Sequence, residues 1–191
     1  MSELAIDASS TALVLIDLQR GIATGNLAPN AAPDVIARGA ELAAAFRKGG
    51  ALVVLVHVDP GPNGMLFPRP QADNPRPPFN APPDFSDLVP ELDRQPSDVV
   101  VTKHQPNAFY CTDIEVHLRR RNITTIVLAG IATNLGVEST ARAAFERGYE
   151  QIFVADAMSA RAEVLHTHTV THILPTMGRV RSTAEVLSAM A

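Results

Sequence analysis

The sequence predicts an α/β fold: a three-layer α/β/α, Rossmann-like arrangement with a mostly parallel six-stranded sheet and helices on both faces. Three observations carry this. Short, continuous apolar runs rich in β-branched residues recur along the chain, as expected of parallel strands covered on both sides. Segments of helical periodicity with recognisable start and stop residues separate them. Strand–helix alternation with right-handed crossovers then builds a parallel sheet between two helical layers. The 191 residues suit one domain, 1–191, since domains of roughly 100–200 residues are commonest. A proline-rich insertion at 60–96 interrupts it.

The elements read in order as follows. "TALVLID" (11–17) is the first buried strand. "DVIARGAELAAAFRKGG" (34–50) is a helix, with Val35, Leu42 and Phe46 among alanines, Asp34 at its start and Gly-Gly at its end. "ALVVLVHVD" (51–59) is the second strand. Prolines crowd the next stretch, removing donors and blocking regular elements. A loop this long is usually functional or disordered. Met65, Leu66, Phe67, Phe79 and Phe85 give it apolar anchors, so an ordered lid or subunit contact is expected.

"DVVVTK" (98–103) is the third strand. "TDIEVHLRRR" (112–121) is a helix whose Thr112 and Glu115 have capping-box spacing; its terminal arginines suit the helix dipole. "TTIVLAG" (124–130) is a strand and 133–147 a helix. "QIFVAD" (151–156) is a strand, and "AEVLHTHTVTHIL" (162–174) a partly exposed helix carrying His166, His168 and His172. "RVRS" is a short last strand, and Ser182 with Glu185 caps the final helix.

Composition narrows the function. A net charge of −4 without a basic stripe points away from nucleic acid. No apolar stretch approaches the roughly 20 residues of a membrane span, and the N-terminus lacks a signal-peptide pattern. The single cysteine, Cys111, cannot form an internal disulfide. A cytoplasmic protein without membrane or nucleic-acid partners is expected, with a small-molecule substrate.

In such a fold, ligands bind outside the carboxyl ends of the strands. Asp17 ends the first strand, Lys103 the third, and 130–136 follows the fourth. If these strands are neighbours, an acid, a base and a strand–helix elbow share one crevice. Many hydrolases hold a nucleophile at such an elbow, yet here Gly136 stands in the first helical turn. Gln19, Phe109, Ile131 and Asn134 are candidate substrate contacts at the same ends.

"ALVLIDLQ", "KHQPNAFYCTDIEVHLRRRNITTIVLAGIATNLGVESTARAAFERGY" and "VADAMSA", in that order, resemble the isochorismatase-like hydrolase superfamily over nearly the whole chain. The proline-rich segment is the part that does not carry the likeness. The resemblance implies a catalytic Asp at Asp17 and a catalytic Lys at Lys103. The position of the attacking cysteine in the amidase branch falls on Gly136. It also implies a cis peptide between Ile131 and Ala132, with the N–H groups of Ala132 and Gly136 as an oxyanion hole, and a homo-oligomer, dimer or tetramer. Isochorismatases proper carry glycine at this position too, but with an aromatic–Ala–His lead-in that "IATNLGV" lacks.

Glycine offers no nucleophile, so a thioester cannot form there. Cys111 lies in a different segment and reads as a half-buried spectator. His57 and Asp59 match positions where some relatives bind a metal, but the further histidines are missing. No metal and no other cofactor is expected; His168 and His172 read as ordinary helix histidines. Two functions follow. One is a hydrolase acting on a small metabolite by direct water attack, with Asp17 as general acid/base and Lys103 as its electrostatic partner. The other is a catalytically silent relative that binds a metabolite or serves as an assembly partner.

Overall fold

The computed structural model describes residues 4–75 and 79–190. Six strands form one sheet, β1 (Thr11–Ile16), β2 (Leu52–Val58), β3 (Val99–Lys103), β4 (Thr125–Ile131), β5 (Glu150–Ser159) and β6 (Arg179–Arg181). Their order is β3-β2-β1-β4-β5-β6, and every neighbouring pair is parallel. The helices are α1 (Ala32–Lys48), α2 (Ile114–Arg120), α3 (Glu138–Glu146), α4 (Glu163–His168) and α5 (Thr183–Ala189).

Period-two alternation within β1 splits the core. Ala12, Val14 and Ile16 face one way and meet Ile114 and Leu118 of α2 with Ala141 and Ala144 of α3. Leu13 and Leu15 face the other way, against Val35, Leu42 and Phe46 of α1 and Val186 of α5. Both faces of the sheet are therefore covered, which is why β1 reads as an unbroken apolar run. The expected three-layer architecture is the observed one.

The strand order reverses direction at β1, whose neighbours are β2 and β4. That reversal opens a crevice at the carboxyl ends of β1 and β4. Close approach there depends on Gly130, which pairs with Ile16 at φ +118°, where a Cβ would overlap the Ile16 carbonyl oxygen. Both the clash with backbone and the positive φ oppose any side chain. Gly130→Ala is expected to destabilise the protein by more than about 4 kcal/mol; a urea melt within 1 kcal/mol of wild type would contradict this packing.

Local details depart from the sequence expectations. The capping box expected of Thr112 and Glu115 is not formed: Asp113 occupies the N-cap without a side-chain bond, and the Thr112 hydroxyl donates to the Ala108 carbonyl while accepting from the Ile114 N–H at 3.4 Å. The helix expected over 133–147 begins with a π-helical turn, Thr133–Val137. β5 runs to Ser159, beyond the expected end at Asp156. The helix expected over 162–174 is partly exposed, as its sequence implies, with His168 and His172 on the exposed side and His166 buried, but it breaks after His168 into a π-helical turn, Thr169–Ile173. At the C-terminus the capping box of Ser182 and Glu185 is present.

In the proline-rich segment, Phe85, Val89 and Leu92 are buried, and Phe79 packs between Phe67 and Phe85 at ring distances of 6.3 and 5.2 Å. Met65 and Leu66, expected as anchors, are exposed. The segment is tied to β1 by Gln19, whose backbone bridges to Leu88. No helix among the described residues is long and apolar enough to cross a membrane.

Candidate active site

Asp17 follows β1 with a left-handed backbone, φ 54°, an uncommon conformation for a residue with a side chain. Its N–H is fixed to the Val56 carbonyl at 2.8 Å. Lys103 ends β3, opposite Val58 in register, and its stem spans the end of β2 to reach Asp17. The Nζ donates to Asp17 Oδ2 at 2.8 Å and to the Pro106 carbonyl at 3.0 Å. An ammonium has three N–H donors, so one remains for a ligand. Both residues are almost sealed from solvent, at 6% and 2% exposed.

Burial is the larger influence on Asp17. Desolvation raises its pKa from 3.8 to about 6, against the opposing charge and hydrogen bond of Lys103. Its second oxygen, Oδ1, is buried with no hydrogen-bond partner. A carboxylate balanced in this way can take up or give back a proton near neutral pH.

Gly136 completes the cluster. A Cβ at this position would lie 2.9 Å from Ile16 Cγ2, 3.2 Å from Asp17 Oδ2 and 3.4 Å from Lys103 Nζ. The acid, the lysine and the elbow thus share one place. The π-turn also affects the backbone donors here. The Ala132 carbonyl accepts from Leu135 at 3.0 Å and Val137 at 3.2 Å, passing over Gly136, which an α-helix would have used. The Ile131–Ala132 peptide is cis.

These groups line a cavity of about 140 Å³ whose walls include Asp17, Lys103, Ile131, Ala132 and Gly136. Leu135, Phe67 and Arg161 also border it. Among the described residues Arg161 has no ion-pair partner; its Nη1 donates to the Thr24 carbonyl at 3.1 Å. Arg161 lies beyond the apolar run "QIFVAD", which ends at Asp156, whereas β5 continues to Ser159. Applied to the true end at Ser159, the same strand-end rule leads to it.

Other expected contacts are placed elsewhere. Gln19 is wholly buried: its Nε2 donates to the Val58 and Phe85 carbonyls at 2.9 and 2.8 Å, and its Oε1 accepts from the Val58 N–H at 2.6 Å. It fastens the proline-rich segment to the sheet and does not line the cavity. Phe109 is a core residue beside Tyr149, with ring centroids 5.9 Å apart. Asn134 is half-buried and outside the cavity wall. Cys111 is exposed, not half-buried. His57 bridges the Ser86 carbonyl and Thr102 hydroxyl, each at 2.8 Å, and Asp59 Oδ1 accepts from the Gly61 N–H; both have structural partners.

Behind the elbow, His166 Nδ1 meets the Thr133 hydroxyl at 2.8 Å. Burial pulls the His166 pKa below its usual value, with Glu163 opposing. The contact ties α4 to the first residue of the π-turn.

The isochorismatase domain profile matches residues 11–185. The chain is 44% identical over 193 residues to the isochorismatase family protein YwoC of Bacillus subtilis, covering 98% of this chain and 97% of that one. A solved isochorismatase family protein from Burkholderia thailandensis superposes with a TM-score of 0.93 at 46% identity, over 99% of each chain. Ureidoacrylate amidohydrolase RutB of Methylorubrum extorquens strain AM1 is 35% identical over 178 residues, 80% of this chain and 71% of that one.

Proposed function

The chain belongs to the isochorismatase family, and from that premise we propose that it hydrolyses a small carbonyl compound by direct attack of water, without a covalent enzyme intermediate. The observation that carries this reading is the Asp17–Lys103 pair, 2.8 Å apart, beside a residue that has no side chain to attack with. Asp17 Oδ1 takes a proton as water adds to the carbonyl carbon. The N–H groups of Ala132 and Gly136 receive the developing oxyanion; one such donor is typically worth about 3–4 kcal/mol. The tetrahedral adduct then collapses, and the Asp17 proton passes to the leaving nitrogen or oxygen. Lys103 keeps Asp17 oriented and retains one donor for the substrate.

A cavity of about 140 Å³ matches the roughly 150 Å³ that holds one benzene. It therefore suits the reacting group rather than a large substrate. The cation at Arg161 on its border favours an anionic compound, and the likeness to a ureidoacrylate amidohydrolase supports a carboxylated amide or ureide over a neutral one.

The test is turnover of a panel containing ureidoacrylate, small carboxylated amides and isochorismate, followed by intact-mass spectrometry in the steady state. Product release with an unmodified chain mass, retained in Cys111→Ser, is expected. A hydrolysable adduct on the chain would overturn the direct-water mechanism. Absence of turnover across the panel, with binding retained, would favour the silent, metabolite-binding alternative.

Gly136→Cys supplies a second check. The added Cβ must displace Ile16 slightly and would bring a thiol beside Lys103, where a neighbouring ammonium lowers thiol pKa. Alkylation by iodoacetamide at pH 7 is expected to run at least tenfold faster at this thiol than at Cys111. Equal rates would contradict the shared geometry.

A further inference from the structure

A second chamber of about 240 Å³ lies against the first. The two have Ile22, Phe67 and Arg161 in common. The remaining walls come largely from the proline-rich segment: Phe79, Phe85, Gly64 and Arg69. Two glycines shape it. A Cβ on Gly21 would overlap the Phe85 ring, and Gly64, at φ +66°, lies under Arg69 and the Phe79 backbone. The Arg69 guanidinium is held by the Asn63 and Gly64 carbonyls at 2.7 and 3.2 Å. Among the described residues neither Arg69 nor Arg161 has an acidic partner, and no carboxylate lines the chamber.

From this juxtaposition we infer that the chamber is the subsite for the far end of the substrate, a ring-sized apolar body bearing a carboxylate. The volume exceeds the roughly 150 Å³ that accommodates benzene, leaving room for a short acidic arm. Three phenylalanines offer the faces and edges that a planar ring packs against. Two guanidiniums with no internal counter-charge offer paired donors for a carboxylate. The shared wall lets one molecule place its ring among the phenylalanines and its reactive carbonyl beside Asp17. The subsite assignment rests on the hydrolase reading above, whereas the ligand chemistry of the chamber does not.

The test is therefore binding, read by ¹H–¹⁵N chemical-shift titration with three probes: 3-phenylpropionate, 3-phenylpropan-1-ol and propionate. The aromatic acid is expected to bind at least tenfold tighter than either of the others, with shifts at Gly21, Gly64 and Phe79. Arg69→Met is expected to reduce its affinity to that of the alcohol. Equal affinities for acid and alcohol, or an unaffected Arg69→Met, would overturn the inference. The titration is repeated with Asp17→Asn, where binding is expected to persist. Persistence upholds the chamber even if the panel shows no turnover; loss with Asp17 would place the probe in the catalytic cavity and refute it.

Discussion

Asp17→Asn is expected to lower turnover of the best panel substrate by roughly 10²–10⁴-fold, the usual contribution of a positioned acid or base. The amide keeps the shape and one oxygen for Lys103 but can no longer take a proton from water. The substitution should also change how stability depends on pH. The folded pKa of Asp17, about 6, lies above its ordinary value of 3.8. Its stabilising contribution is therefore full below pH 4 and lost as pH rises through 6. A shift of that size corresponds to about 3 kcal/mol. Wild type should lose stability relative to Asp17→Asn between pH 4 and 7, measured by urea melts. A parallel pH course for the two proteins would show that Asp17 titrates normally.

Lys103→Met is expected to cost the fold heavily, and in a pH-dependent way. Removing one member of a buried ion pair leaves its partner uncompensated, typically a loss of about 3–5 kcal/mol. The size should depend on pH. Without the ammonium, Asp17 loses both influences that hold its pKa down, so its pKa rises above 6. The variant should be near wild-type stability at pH 4–5, where the carboxyl is neutral, and weakest at pH 8. The double variant Asp17→Asn/Lys103→Met should recover much of the loss at pH 8, because no buried charge remains. A loss independent of pH, or no recovery in the double variant, would mean that the lysine stem and not its charge supports the fold.

The pair is thus expensive at neutral pH, and stability alone gives no reason to keep it. That is consistent with a chemical role, since local cost is tolerated where function needs it.

Much of the fold was legible because parallel strands buried on both faces announce themselves as unbroken apolar runs, and β1, β2 and β4 did so. Asp17 and Lys103 followed from one rule, that such sheets bind ligands at strand carboxyl ends. Arg161 obeys the same rule, but Ala155 and Asp156, half-buried in the structure, interrupt the apolar run before β5 ends at Ser159. Gln19 and Phe109 misled for a different reason. A Gln beside a strand end can face ligand or backbone, and only the position of residues 58 and 85 decides it. Those partners are 39 and 66 residues away, beyond any local pattern. The second chamber was equally invisible, because prolines mark where regular structure stops and not which side chains then meet.

The central claim is that Asp17, raised by burial and steadied by Lys103, is the base that activates water beside Gly136. Its most direct test is the pH dependence of kcat/KM for the best panel substrate, which reports ionisations of the free enzyme. The expected profile rises with a single ionisation near pH 6 and is level above it. A flat profile through that range, or one that falls as pH rises through 6, would contradict it.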